Sequence, residues 1–433
     1  MTAPDSPIGV RLVNLREPLA AVDGAERYAR LRVFVADGPD LIGELEIDNA
    51  RAPVSVHRLR SAIVQSLGLA LARRAVRRTL AVDERPPLAP DVAVSIVVPS
   101  CDRPDDLRAC LRSLLAQESP RRIEILVIDN RPDRGTARGV AREFPGVVLI
   151  EERRPGLSYA RNGGFAAATG EILIATDDDV VAPPDWIEKL VAPFARPEVA
   201  AVTGHVLPLE LDTESQRRFE QYGGLGRGFE PLEADRGWFE RFRGAVPTWQ
   251  LGATANAAFR RDALADPAIG LLDEALGAGT PTGCSEDTDL FYRILKAGRS
   301  IVYEPSAYVW HRHRRTMKAL RRQIYAYSKG HVAYQLTTLM RHRDRRALVR
   351  LGWSLPRTYL RRAIDRVCGR SGYPLSLLAV EVLGTLAGPW ALWTSRRRVR
   401  RFGPGHRLDP AGATPQGSHA VSLDRPLTQD SAR

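Results

Sequence analysis

Residues 92–175 repeat one pattern, in which a short run of aliphatic and β-branched residues is followed by a stretch with helical spacing. The runs are Val92–Val98 (VAVSIVV), Ile123–Ile128 (IEILVI), Val147–Ile150 (VVLI) and Glu171–Ala175 (EILIA). Continuous apolar runs are typical of strands buried on both faces. Strands that alternate with helices predict an α/β fold with a mixed, mostly parallel sheet. Ligands of such sheets bind beyond the carboxyl ends of the strands.

The segments that flank this core predict further units. Arg30–Ala36 and Leu41–Ile47 are strand-like and are separated by Asp-Gly-Pro-Asp, which predicts a hairpin. A helical stretch, Val56–Leu80, follows it. We therefore predict four regions: a small α+β domain with a Pro-rich linker (1–90, the linker at 85–90), an α/β domain (91–315), a basic helical region (316–403) and a disordered tail (404–433).

Composition excludes several classes of protein. Apolar residues make up 44% of the chain and charged residues 26%, which argues against wholesale disorder and against a polytopic membrane protein. The net charge of +12 favours a negatively charged partner, whether phosphate, lipid headgroup or nucleic acid. The four cysteines have no CxxC spacing, so neither a disulfide scaffold nor a zinc site is predicted. The first ten residues lack a secretory signal pattern, so we expect a cytoplasmic protein.

Acidic and small polar residues follow three of the predicted strands. They are Pro99-Ser100, Asp129 and the triplet Asp177-Asp178-Asp179. Adjacent carboxylates repel one another, and a divalent cation would remove that cost. Mg²⁺ and Mn²⁺ prefer oxygen ligands and commonly bridge carboxylates to phosphates. The alternative is an acidic loop before the helix that is predicted near residue 184, where the helix dipole favours negative charge.

A second acidic group occurs in Glu286-Asp287-Thr288-Asp289. Ser285 is a candidate N-cap, and the apolar spacing that follows predicts a helix ending before Gly298. A carboxylate in the first turn is favoured by the dipole, and a general base must reach its hydroxyl directly. Asp289 would point roughly 200° away from Asp287 on a helix. The alternative is that these acids only cap the helix.

Six segments resemble those of the nucleotide-diphospho-sugar glycosyltransferases of family 2, and they occur in the order and spacing typical of that family. Members of this family have the GT-A (Rossmann-like) fold. The six segments cover about residues 93–330 and are VSIVVPSCDRPDDLRACLRSLLAQ, EILVIDN, GLSYARNGG, GEILIATDDDV, GATANAAFRRDAL and SEDTDLFYRILKAGRSIVYEPSAYVWHRHRR. The resemblance implies a nucleotide-diphospho-sugar donor, a divalent metal (Mg²⁺ or Mn²⁺) on a DxD motif, and inverting transfer to an acceptor hydroxyl with a carboxylate base.

The resemblance also implies roles for individual residues. Pro99 and Ser100 would lie by the base and ribose, Asp129 would bind the nucleobase or ribose, and Arg161 would approach the nucleotide and diphosphate. In the triplet, Asp177 would face the ribose, Asp179 would bind the metal, and Asp178 would lie behind them.

The remaining roles concern the metal, the base and the two sugars. His311 would complete the metal site, and Asp287 would be the base with Glu286 beside it. Asn256, Arg260 and Trp249 would line the donor-sugar and acceptor side. For Arg161, Asp129 and the histidine, the alternatives are an exposed helical arginine, a turn-forming residue and a structural side chain.

Two features bear on the acceptor. Processive relatives carry a QxxRW motif, where this chain has Gln323-Ile324-Tyr325-Ala326-Tyr327, so we expect a single addition. Leu375–Trp393 is apolar with Glu381 near its middle, and arginines follow it. The segment is an interfacial helix on an anionic membrane, one short span, or a helix packed on the catalytic domain.

The leading hypothesis is thus an inverting, metal-dependent glycosyltransferase that acts on a glycan or lipid-linked glycan in cell-wall or exopolysaccharide biosynthesis, on the cytoplasmic face of a membrane. The alternative is a protein that binds nucleic acid or an anionic surface and carries an inactive GT-A-like domain. No nucleic-acid partner is expected, because the predicted strand-end rim is acidic.

Overall fold

The computed structural model describes residues 6–48, 53–80, 87–403 and 405–408 of the chain. The predicted tail, 404–433, lies outside the described residues except for 405–408, and so do residues 85 and 86 of the predicted linker.

The described residues between 8 and 79 form a separate small sheet with one helix, which we call the N-terminal module. Its elements are β1 (Ile8–Asn14), β2 (Arg30–Asp37), β3 (Asp40–Asp48) and α1 (Val56–Thr79). The predicted hairpin is confirmed, because β2 and β3 pair antiparallel. β1, which was not predicted from the sequence, pairs parallel with β2. The module docks on the rest of the chain through Phe34, whose ring meets that of Trp310 at 5.7 Å, and through the Leu41 amide, which donates to Ser306 Oγ.

The central sheet is mixed, as predicted. Its strands are β4 (Val94–Ser100), β5 (Ile123–Asp129), β6 (Val147–Glu151), β7 (Ile172–Thr176), β8 (Val180–Val181), β9 (Val199–Pro208), β10 (Leu232–Ala234), β11 (Asn256–Arg260) and β12 (Ser300–His311). The strand order is β10-β12-β9-β11-β7-β4-β5-β6, and β8 pairs with β12. The four predicted strands, β4 to β7, are mutually parallel, while β11 runs antiparallel between β7 and β9.

Helices cover both faces of this sheet and extend beyond it. They are α2 (Pro104–Leu115), α3 (Thr136–Ala141), α4 (Leu157–Ala167), α5 (Trp186–Val191), α6 (Glu214–Tyr222), α7 (Arg236–Glu240), α8 (Arg261–Ala265), α9 (Glu286–Lys296), α10 (Met317–His342), α11 (Arg346–Val349), α12 (Leu355–Val367) and α13 (Leu375–Phe402). Leu111 of α2 and Trp186 of α5 lie in one core, and Phe165 of α4 and Phe291 of α9 lie in the other. The α/β class predicted from the repeating pattern is therefore confirmed.

The apolar segment at 375–393 belongs to α13, which lies along α10. Among the described residues, α13 is the one helix that is long and apolar enough to cross a membrane, by length and composition alone. A Cβ atom on Gly388 would lie only 2.5 Å from Val332 Cβ, so the two helices approach closely because glycine is there. Glu381 accepts hydrogen bonds from Arg362 and the Tyr373 hydroxyl, both at 2.7 Å. The acid in the middle of the apolar segment is thus paired with a guanidinium and a hydroxyl of the protein.

The close approach of α13 to α10 yields a stability prediction. Gly388→Val should lower the free energy of unfolding by about 1–3 kcal/mol, because the new side chain would overlap Val332 in a packed interface. Gly372→Val is the matched control, since no atom of the described residues lies within 4 Å of a Cβ built at Gly372. Urea unfolding of both variants measures the difference. Equal stability would mean that α13 does not rest on α10 in solution.

Candidate active site

A cleft of about 1200 Å³ opens at the carboxyl ends of β4 and β7 and extends to α10 and α12. Ten of the thirteen residues predicted for the site line it: Pro99, Ser100, Arg161, Asp177, Asp178, Asp179, Trp249, Glu286, Asp287 and His311. The triplet and the Glu286-Asp287 pair therefore share one cleft, although they are far apart in sequence.

Arg161 connects the two acidic groups. Its side chain is 1% exposed, Nη2 donates to Asp177 Oδ1 at 2.6 Å, and Nη1 donates to Glu286 Oε1 at 3.0 Å and to Thr254 Oγ1 at 2.6 Å. Helix α4 can bring Arg161 this deep because Gly164 allows the helix backbone to contact Val97 of β4. The alternative of an exposed helical arginine is thus wrong.

The three acids of the triplet point to different partners. Asp178 turns back toward β4, where Ser100 Oγ donates to it at 2.9 Å. Burial, and then the charge of Asp179, raise the pKa of Asp178 to about 7. Asp179 contacts Arg103 and lies 3.3 Å from His311 Nε2. Burial opposes ionisation of Asp179, but His311 and Arg103 outweigh it and hold its pKa well below the usual range.

His311 reaches the triplet because of strand pairing. β8 pairs with the end of β12 so that Val180 lies opposite His311, which brings the imidazole beside the preceding residue, Asp179. Asp177, Asp179 and His311 each offer one ligand atom, and these atoms lie within 4.8 Å of one another. Two carboxylate oxygens suit a hard divalent cation such as Mg²⁺ or Mn²⁺, and the imidazole nitrogen favours a transition metal such as Mn²⁺. The group includes Asp177, for which the sequence analysis predicted contact with the ribose.

The second acidic pair begins α9, but not with the predicted cap. Ser285 has a φ of +78° and its side chain makes no capping hydrogen bond; its Oγ lies 3.2 Å from Cys284 Sγ instead. Burial, and then the charge of Asp287, raise the pKa of Glu286 to about 7, although Arg161 opposes the shift. Asp289 is fully buried and paired with Arg293 at 2.9 Å, facing away from the cleft as its helical spacing predicts.

Asp287 presents a free oxygen to the cleft. Its Oδ1 accepts from the Thr288 amide at 2.6 Å and from Thr288 Oγ1 at 3.1 Å. Within the described part of the chain, Oδ2 has no hydrogen-bond partner. A side chain that is held by one oxygen and open at the other can accept a proton from a hydroxyl bound in the cleft.

Asn256 and Arg260 do not line the cleft, contrary to the prediction. Asn256 Oδ1 accepts from Trp186 Nε1, and Nδ2 donates to the carbonyls of His205 and Ala307, which β9 and β12 leave free at an irregularity in their pairing. Its amide therefore joins strands. Arg260 lies at the other end of β11, opposite the first residue of β7, and donates to backbone carbonyls there.

Asp129 and Trp249 have mixed placements. Asp129 is buried beside the cleft without lining it, and its Oδ1 accepts from the Arg131 amide at 2.9 Å, which is the turn-forming alternative. Burial raises the pKa of Asp129. Trp249 lines the cleft, with its ring edge-on to His331 and the Arg350 guanidinium 5.1 Å from the ring centre.

Several cleft residues were not predicted from the sequence. Arg103 contacts both Asp178 and Asp179, and its position just after the first strand was a signal that could have identified it. Arg314 follows His311 by three residues and lines the cleft. Thr254 binds Arg161, and Arg227 donates to the Trp249 carbonyl at 3.1 Å. Thr254 lies two residues before Asn256 in the segment GATANAAFRRDAL, which was a signal that could have identified it. Arg227 lies outside the six segments, so only the tertiary structure identifies it.

Comparison with known proteins agrees with this architecture. The family model "Glycosyl transferase family 2" matches residues 95–266. A pre-mycofactocin glycosyltransferase of Mycobacterium tuberculosis is 27% identical over 411 residues, covering 91% of this chain and 77% of that protein. The succinoglycan biosynthesis protein ExoM of Rhizobium meliloti is 29% identical over 220 residues, which are 48% of this chain and 63% of that protein.

One solved structure is also similar. It is the mannosyltransferase PcManGT from Pyrobaculum calidifontis in complex with GDP-Man and Mn²⁺, with 21% identity, a TM-score of 0.43, and coverage of 75% of this chain and 80% of that one. The α/β fold and the matched family model define a sugar-transferring enzyme. Residues 95–266 carry a glycosyltransferase domain of family 2, and the resemblance drawn from the motifs is confirmed.

The buried Asp178 yields a prediction on pH. The pKa of Asp178 is higher in the folded protein than in the unfolded protein, so between pH about 4 and 7 the folded protein holds a proton that unfolding releases. The free energy of unfolding of the wild type should therefore fall as the pH rises through this range. Asp178→Asn stays neutral and should lose less stability over this range. Urea unfolding at several pH values, with EDTA present, measures both curves. Parallel curves for the two proteins would contradict the prediction.

Proposed function

We propose that this protein is an inverting, metal-dependent glycosyltransferase that moves one sugar from a nucleotide-diphospho-sugar to an acceptor hydroxyl. The observation that carries the proposal is the double ion pair of Arg161, which holds the Asp triplet and the Glu286-Asp287 pair on one cleft. The acids outnumber the arginines that pair with them there. Without a metal, the acids at the strand ends would repel phosphates, which speaks against nucleic acid as the partner.

Asp177, Asp179 and His311 would hold the divalent cation. If the His311 ring is neutral and donates through Nδ1, the lone pair of its Nε2 faces Asp179 Oδ1 at 3.3 Å. The two lone pairs repel each other, so this contact is favourable only with a cation or a proton between the two atoms. When bound, the metal supplies positive charge to the departing diphosphate. Arg314 lines the same cleft and has no side-chain partner among the described residues, so its guanidinium is available to phosphate oxygens.

Asp287 would act as the general base. Its free Oδ2 takes the proton of the acceptor hydroxyl while that oxygen forms its bond to the anomeric carbon. The bond between this carbon and the diphosphate oxygen breaks on the opposite face, so the configuration inverts. Glu286, bound to Arg161, keeps the guanidinium oriented toward Asp177.

The acceptor would occupy the part of the cleft toward α10 and α12. Trp249, Tyr327 and Tyr359 line this part, and aromatic rings suit sugar faces. The two relatives described above are named as a pre-mycofactocin glycosyltransferase and a succinoglycan biosynthesis protein. By analogy, we propose that the acceptor is a glycan or lipid-linked glycan in cell-wall or exopolysaccharide biosynthesis. Gln323 is not followed by the Arg-Trp of the QxxRW motif that processive relatives carry, which supports the addition of a single sugar.

Substitution of the base and of a metal ligand tests the mechanism. Asp287→Asn should lower kcat about 10²–10⁴-fold, because a base of that kind contributes this much. Asp179→Asn should lose transfer together with its response to Mn²⁺. The donor is first identified by thermal shift with UDP-, GDP- and dTDP-sugars, with and without Mn²⁺. Mass spectrometry then counts the sugars added, and NMR of the product gives the anomeric configuration.

Asp105→Asn is the control, because its side chain is 91% exposed on α2, outside the cleft. Wild-type turnover in Asp287→Asn or Asp179→Asn would reject the mechanism. A product that retains the donor's anomeric configuration would reject inversion, and a long product series from one encounter would reject single addition.

We further propose that the protein is cytoplasmic and lies on the cytoplasmic face of an anionic membrane. Seven exposed apolar side chains form what we call the outer helical face, on α12 and α13: Leu360, Ile364, Val367, Leu383, Leu386, Trp390 and Trp393. Exposed arginines lie on the same two helices, at 357, 361, 397, 400 and 401. Apolar side chains with arginines around them suit an anionic lipid surface.

The inner side of α13 explains why we propose an interfacial rather than a spanning helix. Leu377, Glu381, Gly384, Gly388 and Ser395 recur at helical spacing and are buried against the rest of the chain. A span would have to expose this side, including the carboxylate of Glu381, to lipid. The cleft also reaches α12, so a lipid-linked acceptor at the membrane surface would have a short path to it.

Vesicle binding tests this surface. Trp390→Ser/Trp393→Ser should weaken binding to phosphatidylglycerol vesicles about tenfold or more at low salt, because each buried large side chain contributes roughly 1.5–3 kcal/mol. Binding of the wild type should fall in high salt and on phosphatidylcholine alone. Leu69→Ser, exposed on α1, is the control. Equal binding by the double variant and the wild type would contradict the proposal.

A further inference from the structure

Four side chains connect the N-terminal module to Asp179. Arg32 of β2 donates through Nη1 to Glu220 Oε2 of α6 at 2.8 Å, and Glu220 Oε1 lies 2.9 Å from His313 Nε2. His313 Nδ1 in turn lies 2.9 Å from His311 Nδ1, and His311 Nε2 is 3.3 Å from Asp179 Oδ1. This chain of contacts leads from a surface sheet into the cleft, and no motif in the sequence indicates it.

With both imidazole rings neutral, the donors and acceptors along these contacts have one consistent arrangement. A carboxylate only accepts, so His313 Nε2 donates its hydrogen to Glu220. A neutral imidazole carries one N–H, so His313 Nδ1 accepts. His311 Nδ1 must then be the donor of the 2.9 Å contact, which leaves Nε2 of His311 free to act as a ligand on the side of Asp179.

The surroundings hold this arrangement in place. Phe219 packs edge-on against the His313 ring at 4.8 Å. Arg32 is itself held on the small sheet, because its Nη2 donates to Glu46 at 3.1 Å. Phe34, two residues after Arg32, packs on Trp310, which directly precedes His311. The docking of the N-terminal module therefore sets the position of the guanidinium relative to the two histidines.

We propose that Arg32 and Glu220 are positioning residues that act through His313 to set the tautomer and ring plane of His311, so that the N-terminal module completes the metal site. The inference rests on the proposed function in one respect, the role of His311 as a ligand. A histidine ligand usually donates its second N–H to a carboxylate or carbonyl, and loss of such a partner weakens metal binding about 10–100-fold. Here His313 stands between the ligand and the carboxylate.

Mn²⁺ titration of the full-length protein, without nucleotide, tests the proposal. Arg32→Met and Glu220→Gln should each weaken Mn²⁺ binding about tenfold or more, and Arg32→Lys should recover most of the loss. Arg30→Met is the matched control, because it removes an ion pair with Glu46 two residues along the same strand and does not touch Glu220. Thermal unfolding in EDTA should give similar melting temperatures for Arg32→Met and Arg30→Met. Long-range ¹H–¹⁵N NMR should show His311 protonated on Nδ1 in the wild type, and a changed tautomer mixture in Glu220→Gln.

The outcomes separate this proposal from the proposed function. If Asp179→Asn abolishes Mn²⁺ binding while Arg32→Met and Glu220→Gln bind like the wild type, the positioning role is overturned and the metal site stands. If the wild type binds no Mn²⁺, or Asp179→Asn binds as tightly as the wild type, the metal site and this proposal are rejected together. Equal weakening by Arg30→Met and Arg32→Met would also overturn the positioning role, since it would reflect a general effect on the module.

Discussion

One buried guanidinium organises the site. Arg161 pairs with Asp177, 16 residues away, and with Glu286, 125 residues away. Removing one partner of a buried ion pair costs about 3–5 kcal/mol, because a charge is left without compensation. Both acids, which come from a strand end and a helix start, are therefore held at one separation across the cleft. A transferase needs such a constraint, since donor and acceptor must meet in a fixed geometry.

The charges around Arg161 divide the cleft into two regions. On one side, Asp177, Asp179 and His311 form a group with the donor set of a hard cation. On the other side, Asp287 keeps one oxygen free beside Glu286, and the cleft continues toward aromatic side chains. The family match at 95–266 includes Arg161, Asp177 and Asp179, whereas Glu286, Asp287 and His311 lie after it. The segment after the match thus supplies part of the acidic groups, and the helices α10 and α12 line the cleft beyond them.

Much of the central sheet was predictable because strands buried on both faces require continuous apolar runs, and β4 to β7 have them. β1 was missed because it is a short alternating segment at the edge of a small sheet. The Asp triplet was found since acids directly after buried strands are conspicuous. Asn256 and Arg260 were misplaced because a motif gives only their order in the chain: β11 enters the sheet antiparallel, so Arg260 points to the end opposite the cleft.

Local sequence determined the elements and the types of reactive group, because hydrophobic periodicity, turn residues and strand-end acids act over a few neighbouring residues. The α/β class, the two acidic groups and the family resemblance all follow from such local patterns. Only the tertiary structure decided which atom each acid faces, that Asp178 turns away while Asp177 joins Asp179, and that Arg32 lies behind His313. The partners that decide these contacts, such as Ser100 for Asp178 and His311 for Asp179, are far apart along the chain. The ionisation of the acids depends on burial and neighbouring charge, which exist only after the segments have packed.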